Sequence, residues 1–385
     1  MNVTLAAGGT GGHMVPAHAL AVELKRRGHG VMLVTDARGA AVPAIFDDVP
    51  VHVLPAGRLG GGPLGLVKAF FAVLKGRKAA RGLYRDFTPD VVVGFGGYPA
   101  FPALLAASAE GVPTVLHEQN AVLGRVNRLL AGKARAVATA YKRVERLADK
   151  SKAVFVGNPV RQEVATLGTM PFPAFDDTAP LNILVTGGSQ GATVLGEVVP
   201  EAMAFLPDAL RHRLHIVQQC RAEDIERVRQ RYKELDIPAE TMTYIEDMPR
   251  RIGDTHLVIA RAGASTIAEL TAAGRPAILV PLPIATDDHQ TANARELARV
   301  GGARMIKQPD FTPETLAAQV AEICSDPQAL ANAAGRSLSV GKPHAAEELA
   351  DLVLAIGAGD NPLPTDPVGA PARPTPRPSG MGVPA

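Results

Sequence analysis

The chain has 385 residues, 46% of them hydrophobic and 20% charged, with a formal net charge of +2. That length suits two domains, each with its own core. A balance so near neutral excludes a bulk polyanion binder, so no nucleic-acid partner is expected and any basic surface must be local. The two cysteines, Cys220 and Cys324, stand far apart and outside any Cys/His cluster, which argues against a disulfide framework and a zinc site and fits buried thiols in a reducing compartment.

In chain order, residues 3–7 read as a first strand rather than as a signal peptide. No uncharged apolar run approaches the roughly 20 residues that a membrane-spanning helix needs. Short β-branched runs follow at 31–34, 91–93, 183–185, 257–259 and 277–280. Helical patterns at 16–27, 99–110, 222–233 and 312–323 lie between them. This alternation predicts an α/β chain with parallel sheets covered on both faces.

The first strand runs into Gly8-Gly-Thr-Gly-Gly-His13, and the run at 183–185 leads into Gly187-Gly-Ser-Gln-Gly191. Each looks like the first βα turn of a doubly wound domain, so two similar domains are expected to face each other. Glycines at a strand end let backbone amides approach a phosphate, and the following helix adds its positive end. Neither turn is a GxGxxG fingerprint or a P-loop. The alternative for each alone is tight strand–helix packing. A third turn, Gly94-Phe-Gly-Gly-Tyr98, favours a phosphate-rich ligand. His13 closes the first turn, where it can take a proton from a sugar hydroxyl or merely hydrogen-bond a neighbour.

Residues 64–85 form a predicted helix in which Val67, Phe70, Phe71 and Leu74 recur at i, i+3, i+4 and i+7. Lys68, Lys75, Arg77, Lys78, Arg81 and Arg85 flank that stripe. The stripe either faces a core or enters an anionic lipid surface. His117-Glu-Gln-Asn120 sets four polar side chains at a predicted strand end, where open α/β sheets bind ligands. In the second half, Ser265 or Thr266 can cap a helix after Arg261-Ala-Gly263. Glu269, one turn on, can accept hydrogen bonds from a ribose diol. Asp287-Asp-His-Gln-Thr-Ala-Asn293 offers Asp, His and Gln groups suited to sugar hydroxyls. No Asp-x-Asp metal–diphosphate motif occurs, so diphosphate charge should be met by amides, dipoles and arginine, with Arg161 the leading candidate. A domain boundary is expected near residues 157–161, before a Pro-rich segment at 167–180. From about residue 358 the chain is dense in Pro and Gly and reads as disordered.

In this order and spacing the motifs resemble the UDP-N-acetylglucosamine–N-acetylmuramyl-(pentapeptide) pyrophosphoryl-undecaprenol N-acetylglucosaminyltransferase family. The resemblance runs from the first strand to about residue 356 and also rests on Gly157-Asn-Pro-Val-Arg161 and Tyr244-Ile-Glu-Asp-Met248. It implies a GT-B fold: two Rossmann-like, doubly wound parallel-sheet domains facing a central cleft. Residues 1–160, with a returning helix at 343–357, would form the acceptor and membrane-facing domain, and 161–342 the UDP-sugar domain, leaving 358–385 as the tail. By resemblance Ile245 reads the uracil through its backbone, Glu269 the ribose, and Ser189 and Arg161 the diphosphate. Gln290 and His289 contact the sugar. Gln190, Gly191, Ala264, Ser265 and Thr266 complete the donor set. Thr10, Gly11, Gly12 and Asn120 close from the other domain, and Gly96, Gly97 and Tyr98 face the acceptor. His13 is the candidate general base and Glu118 the alternative.

The implied reaction is metal-free, inverting transfer of N-acetylglucosamine to a polyprenyl-diphosphate-linked muramyl peptide. It would occur at the cytoplasmic face of the bacterial membrane, with cell-wall and division proteins as possible partners. Rival readings are a diacylglycerol glycosyltransferase of the same fold, a sugar-nucleotide 2-epimerase, and a non-catalytic sugar-nucleotide sensor or scaffold. A NAD-dependent oxidoreductase is disfavoured, since neither turn fits its fingerprint.

Overall fold

The computed structural model describes residues 1–9, 11–40, 46, 48–57, 62–176, 178–188 and 191–362. Thr10, Ser189, Gln190 and most of the Pro-rich tail, all singled out above, lie outside the described residues. Seven strands build the first sheet: β1 Asn2–Ala6, β2 Gly30–Thr35, β3 Val51–Val53, β4 Val91–Gly94, β5 Thr114–Glu118, β6 Ala136–Thr139 and β7 Ala153–Phe155. Six build the second: β8 Leu181–Thr186, β9 Leu214–Gln219, β10 Ala239–Met242, β11 Leu257–Ala260, β12 Ala277–Leu279 and β13 Ala303–Met305. Their orders are β3-β2-β1-β4-β5-β6-β7 and β10-β9-β8-β11-β12-β13. Every pairing is parallel. Both sheets therefore reverse winding direction once, between β1 and β4 and between β8 and β11.

Continuous apolar runs form these strands because helices bury both faces. Val91 and Val93 join a cluster with Met14 and Leu20 of helix Gly11–Arg26 and Leu349 and Val353 of helix Ala345–Gly357. Val92 points the other way, into a cluster with Ala80 and Tyr84 of helix Gly62–Phe87 and Leu104 of helix Ala100–Ala109. The second sheet repeats the plan. Ile183 and Ile259 pack with Leu195 and Val199, whereas Leu184 and Val258 pack with Ile267 and Leu270. Cys220 and Cys324 are buried and unpaired, and burial pushes their thiols up to about 11 and about 12. Helix Ala345–Gly357 crosses back onto the first sheet, where Asp351 pairs with Arg27 at 2.5 Å.

Two local expectations need correction. The first helix begins at Gly11, not Pro16, and Pro16 sits buried inside it. Proline favours a helix start because it lacks an N–H, but here the helix tolerates losing the bond to the Gly12 carbonyl. His13 and both glycines thereby fall in its first turn. Helix Ala264–Ala272 is capped by neither Ser265 nor Thr266. Gly263 takes the N-cap place, with ψ 143° and no side-chain bond. Both hydroxyl residues lie inside the first turn, and the Ser265 hydroxyl is buried without a partner among the described residues.

The turns after β1 and β4 are pressed together. A Cβ on Gly8 would lie 2.2 Å from Pro99 Cγ, and one on Gly97, whose φ is +77°, 3.2 Å from the Gly8 carbonyl oxygen. A proline ring has no rotamer in which to retreat. Gly8→Ala should therefore destabilise the protein by about 1–3 kcal/mol, read as a lower thermal unfolding midpoint. An unchanged midpoint would mean that the two turns do not touch.

Candidate active site

Ligands of open α/β sheets bind beyond the carboxyl ends of the strands, where the winding reverses. The turn ending at His13 follows β1, and the Gly94–Tyr98 turn follows β4. In the other half the Gly187–Gly191 turn follows β8, and the Ala262–Thr266 turn follows β11. The glycine turns found in the sequence thus flank both reversal points. The two halves meet across a cavity of about 250 Å³, lined by His13, Gly96, Gly97, Tyr98, Glu118 and Asn120 on one side and by Thr286, Asp287 and His289 on the other. A cavity of about 320 Å³ at Arg81, Tyr84 and Asp90 lies beside the amino end of β4, on the wrong side of the sheet for such a ligand.

His13 is half-buried in the first helical turn. Its Nδ1 stands 3.0 Å from the Gly8 carbonyl oxygen. A carbonyl only accepts, so Nδ1 carries the proton and Nε2 keeps its lone pair. Nε2 lies on the Gly96 side, within 3.5 Å of where a Gly96 Cβ would be. Burial holds the imidazole below its ordinary range, against the Gly8 bond and helped by nearby His289. His13 is therefore a neutral imidazole at pH 7 with a free basic nitrogen at the cavity.

His117 is different. It is fully buried, donates from Nε2 to the Gly157 carbonyl at 3.0 Å and accepts at Nδ1 from the Gln119 amide at 3.1 Å. Burial drops its pKa to about 4. It ties β5 to the linker between the halves.

Glu118 is buried and pairs with no cation among the described residues. Its Oε1 accepts from the Asn120 amide and side chain at 3.1 and 3.3 Å, and its Oε2 from the Gly124 amide at 2.8 Å and Asn127 Nδ2 at 2.9 Å. Burial raises its pKa and those four donors oppose the rise. Both oxygens are engaged, so this geometry makes Glu118 an organiser of the loop. Asn127 Oδ1, also buried, has no partner among the described residues.

In the second half, Arg161 donates from Nε and Nη2 to Glu269 Oε1 at 3.1 and 2.7 Å. The residues assigned to diphosphate and ribose are thus paired with each other. Burial pushes the Glu269 carboxyl above its ordinary range, and Arg161 opposes that. The Ile245 side chain is in the core. Gln290 Oε1 accepts from the Leu282 amide at 3.0 Å, and His289 Nδ1 donates to the Thr286 carbonyl at 2.8 Å. Asp287, in the segment read as suited to sugar hydroxyls, is paired with Arg128 and Arg146 of the other half.

Asn293 closes the seam. Its Oδ1 accepts from the Ala121 amide at 2.8 Å, while its Nδ2 donates to Asn120 Oδ1 at 3.0 Å and to the Ala262 carbonyl at 3.3 Å. The sequence reading missed the roles of Asn293, Asn127 and Arg128. One signal was present: Asn293 follows Gln290 by three residues, on the same helix face.

Helix Gly62–Phe87 presents its stripe outward. Val67, Phe70, Phe71 and Leu74 are 52%, 61%, 63% and 42% exposed, and Ala69, Ala80 and Tyr84 face inward instead. Lys68 and Lys75 are exposed beside the stripe. Among the described residues, no helix is long and apolar enough to cross a membrane, and no group of three His, Cys, Asp or Glu could hold a metal ion.

Two reversal-point crevices facing one cavity, with a neutral histidine at it, form the site of a two-domain GT-B protein, and its domains are those of a glycosyltransferase. The chain matches the glycosyltransferase family 28 N-terminal domain over residues 3–139 and the family 28 C-terminal domain over residues 182–349. It belongs to that family, and within it to the UDP-N-acetylglucosamine–N-acetylmuramyl-(pentapeptide) pyrophosphoryl-undecaprenol N-acetylglucosamine transferases. Such a transferase from Erythrobacter litoralis is 59% identical over 92% of this chain and 90% of its own. One from Zymomonas mobilis is 58% identical over 92% of each chain. The crystal structure of Acinetobacter baumannii MurG superposes with a TM-score of 0.75 at 33% identity, covering 92% of this chain and 99% of that one. A UDP-N-acetylglucosamine 2-epimerase from Neisseria meningitidis, 13% identical with a TM-score of 0.65, shares the fold alone.

His117 generates a stability prediction. Its folded pKa of about 4 lies below the unfolded value of about 6.5. The unfolded chain therefore binds more protons between those limits, and stability is lost as pH falls through that window. The loss assigned to this ring is about 3 kcal/mol. In urea unfolding from pH 7 to pH 4.5, His117→Gln should show a shallower decline than the wild type. Parallel declines would mean that His117 is not held neutral.

Proposed function

We infer that the protein transfers N-acetylglucosamine from UDP-N-acetylglucosamine to the 4-hydroxyl of undecaprenyl-diphospho-N-acetylmuramoyl-pentapeptide, with inversion at the anomeric carbon. The observation that carries this reading is the pair of reversal-point crevices facing one cavity, in a chain 59% identical to a transferase of that name. Residues 1–160 with 343–357 take the acceptor, and residues 161–342 take the donor.

The acceptor hydroxyl loses its proton to His13 Nε2 as its oxygen bonds to the anomeric carbon. The bond from that carbon to the β-phosphate oxygen breaks, and UDP leaves with the electron pair. The transition state is oxocarbenium-like. Amides of the Gly187–Gly191 turn, the amino end of helix Thr193–Ala204 and the first-turn amides around Ser265 meet the growing phosphate charge. Arg161 adds a cation when it turns from Glu269 to the diphosphate, which leaves the Glu269 carboxylate for the ribose. Glu118 holds the Asn120–Asn127 loop, whose Asn127 Oδ1, without a partner among the described residues, can accept from the acceptor sugar. No step calls for a metal ion. The exposed Phe70–Phe71 stripe, with Lys68 and Lys75 beside it, supports peripheral binding at an anionic membrane, on the cytoplasmic face where nucleotide sugars are found.

Incubating the protein with UDP-N-acetylglucosamine and a short-chain lipid acceptor, then weighing the product, tests the reading. Release of N-acetylmannosamine, or transfer only to diacylglycerol, would overturn it. His13→Ala should lower kcat at least about 10²-fold and leave UDP affinity intact. The wild-type kcat/KM should fall only below the ordinary histidine range, because burial lowers that pKa. Normal turnover in the variant would remove His13 as base.

Phe70→Ser with Phe71→Ser should weaken binding to vesicles containing anionic lipid about tenfold or more, since each phenylalanine contributes roughly 1.5–3 kcal/mol when buried, without lowering the melting midpoint. Equal binding by both proteins would assign the stripe to another partner.

A further inference from the structure

Five non-glycine residues among those described have positive φ: Thr88, Arg146, Asp236, Asp287 and Asp288. Three of the five gather at one point on the seam between the halves. Asp287 (φ 56°) and Asp288 (φ 52°) lead into helix His289–Arg299, and Arg146 (φ 65°) lies in the segment after β6. Asp287 Oδ1 accepts from Arg146 Nη1 at 2.6 Å, and its Oδ2 accepts from Nη2 of Arg128 on helix Arg125–Leu130. One carboxylate of the donor half therefore grips two guanidiniums of the acceptor half. Left-handed backbone is costly for residues with a Cβ, and it persists where the surroundings over-determine it.

The clasp is coupled to the chemistry by position. Thr286, Asp287 and His289 line the same cavity as His13. The helix that begins at His289 carries Gln290 and Asn293, the seam residue. Whatever fixes Asp287 fixes how the start of this helix stands over the histidine. Arg146 and Asp287 keep enough exposure for salt to screen their attraction.

We propose that Asp287 is a positioning residue for transfer: by clasping Arg128 and Arg146 it closes the seam and sets the His289–Gln290 segment opposite His13. The inference rests on the transferase reading above. It adds a determinant of closure that acts through the His289–Gln290 segment.

Asp287→Asn is the direct test, because asparagine keeps the shape and the tolerance of left-handed backbone and removes only the charge. We expect kcat about tenfold lower, unchanged UDP affinity and an unchanged melting midpoint. Asp287→Glu should recover part of the turnover. Arg128→Gln combined with Arg146→Asn should cost as much as Asp287→Asn, and the triple variant no more, since the three act as one unit. Salt at about 0.5 M should slow the wild type and leave Asp287→Asn unaffected. A spin-label pair, one label per half, should read a longer or broader distance in Asp287→Asn with UDP bound.

Wild-type turnover in Asp287→Asn, additive losses, or an unchanged label distance would each overturn the clasp. If Asp287→Asn fails to fold, Arg146→Asn, on the half-exposed side of the pair, gives the same readouts. A wild type that transfers nothing would sink the transferase reading instead, and the label distance would still judge the clasp.

Discussion

The cleft exists only because two parallel sheets are held with the carboxyl ends of their strands toward each other. A single sheet would offer one crevice, with one set of amides and helix ends, and its ligand would stay open to water. The join that opposes them is small and polar. Asn293 spends its whole side-chain amide on it, reaching the Ala262 carbonyl on its own side and Asn120 and the Ala121 amide on the other. Beside it, among the described residues, a small apolar cluster joins Ala121 and Val122 to Ala292, with Tyr141 packed against them. A contact of this kind fixes orientation without the large apolar area that would weld two domains together. The linker at Gly157 is tied to β5 by a buried neutral histidine.

The two halves handle buried carboxylates in opposite ways, and each suits its side of the proposed reaction. Glu118 is surrounded by neutral donors, two backbone amides and two asparagine side chains. No counter-ion pairs with it among the described residues, so the loop proposed to meet the acceptor is held by neutral bonds formed in advance. Glu269 is held by Arg161. Removing either partner would leave an uncompensated, poorly solvated charge, so each satisfies the other. A nucleoside diphosphate supplies what both need, phosphate oxygens for the guanidinium and hydroxyls for the carboxylate. In the proposed reading the pair separates as the donor arrives, and little desolvation remains to be met at that moment.

The sheets, their glycine turns and the candidate histidine were legible because they are local. A β-branched run followed by glycines is a strand running into a turn wherever the chain goes afterwards, and the order of the motifs carries the family resemblance. Legibility failed where a role depends on a distant partner. Nothing near Arg128 or Arg146 in sequence indicates that both meet Asp287, and nothing near Asp287 distinguishes a sugar ligand from a clasp. The helix caps failed for a subtler reason. Ser265 and Thr266 have capping chemistry, yet Gly263 already turns the chain, which places the hydroxyls inside the first turn and frees that helix end. Pro16 misled similarly, because its preference for a helix start is statistical, and a first turn of glycines and histidine extends the helix before it.

Periodicity had a different limit in the helix Gly62–Phe87. A repeat at i, i+3, i+4 and i+7 says that one face is apolar, not where that face points. Here the inward face is built from small residues, Ala69 and Ala80, with Tyr84 below them, its hydroxyl donating to the Ala103 carbonyl at 3.1 Å. Small residues bring the helix close to helix Ala100–Ala109, and that close approach leaves no room for phenylalanines on the same side. The large apolar groups must then face outward. Two adjacent phenylalanines with valine and leucine on one exposed face, and lysines on its flanks, make a patch that water solvates poorly. The proposed acceptor carries a polyprenyl chain that cannot leave the bilayer, so its diphosphate and sugar must be met at the lipid surface. A domain that binds this acceptor at its strand ends has to be brought to that surface by some part of its exterior. In the proposed reading the stripe supplies that attachment, and it belongs to the same half as His13.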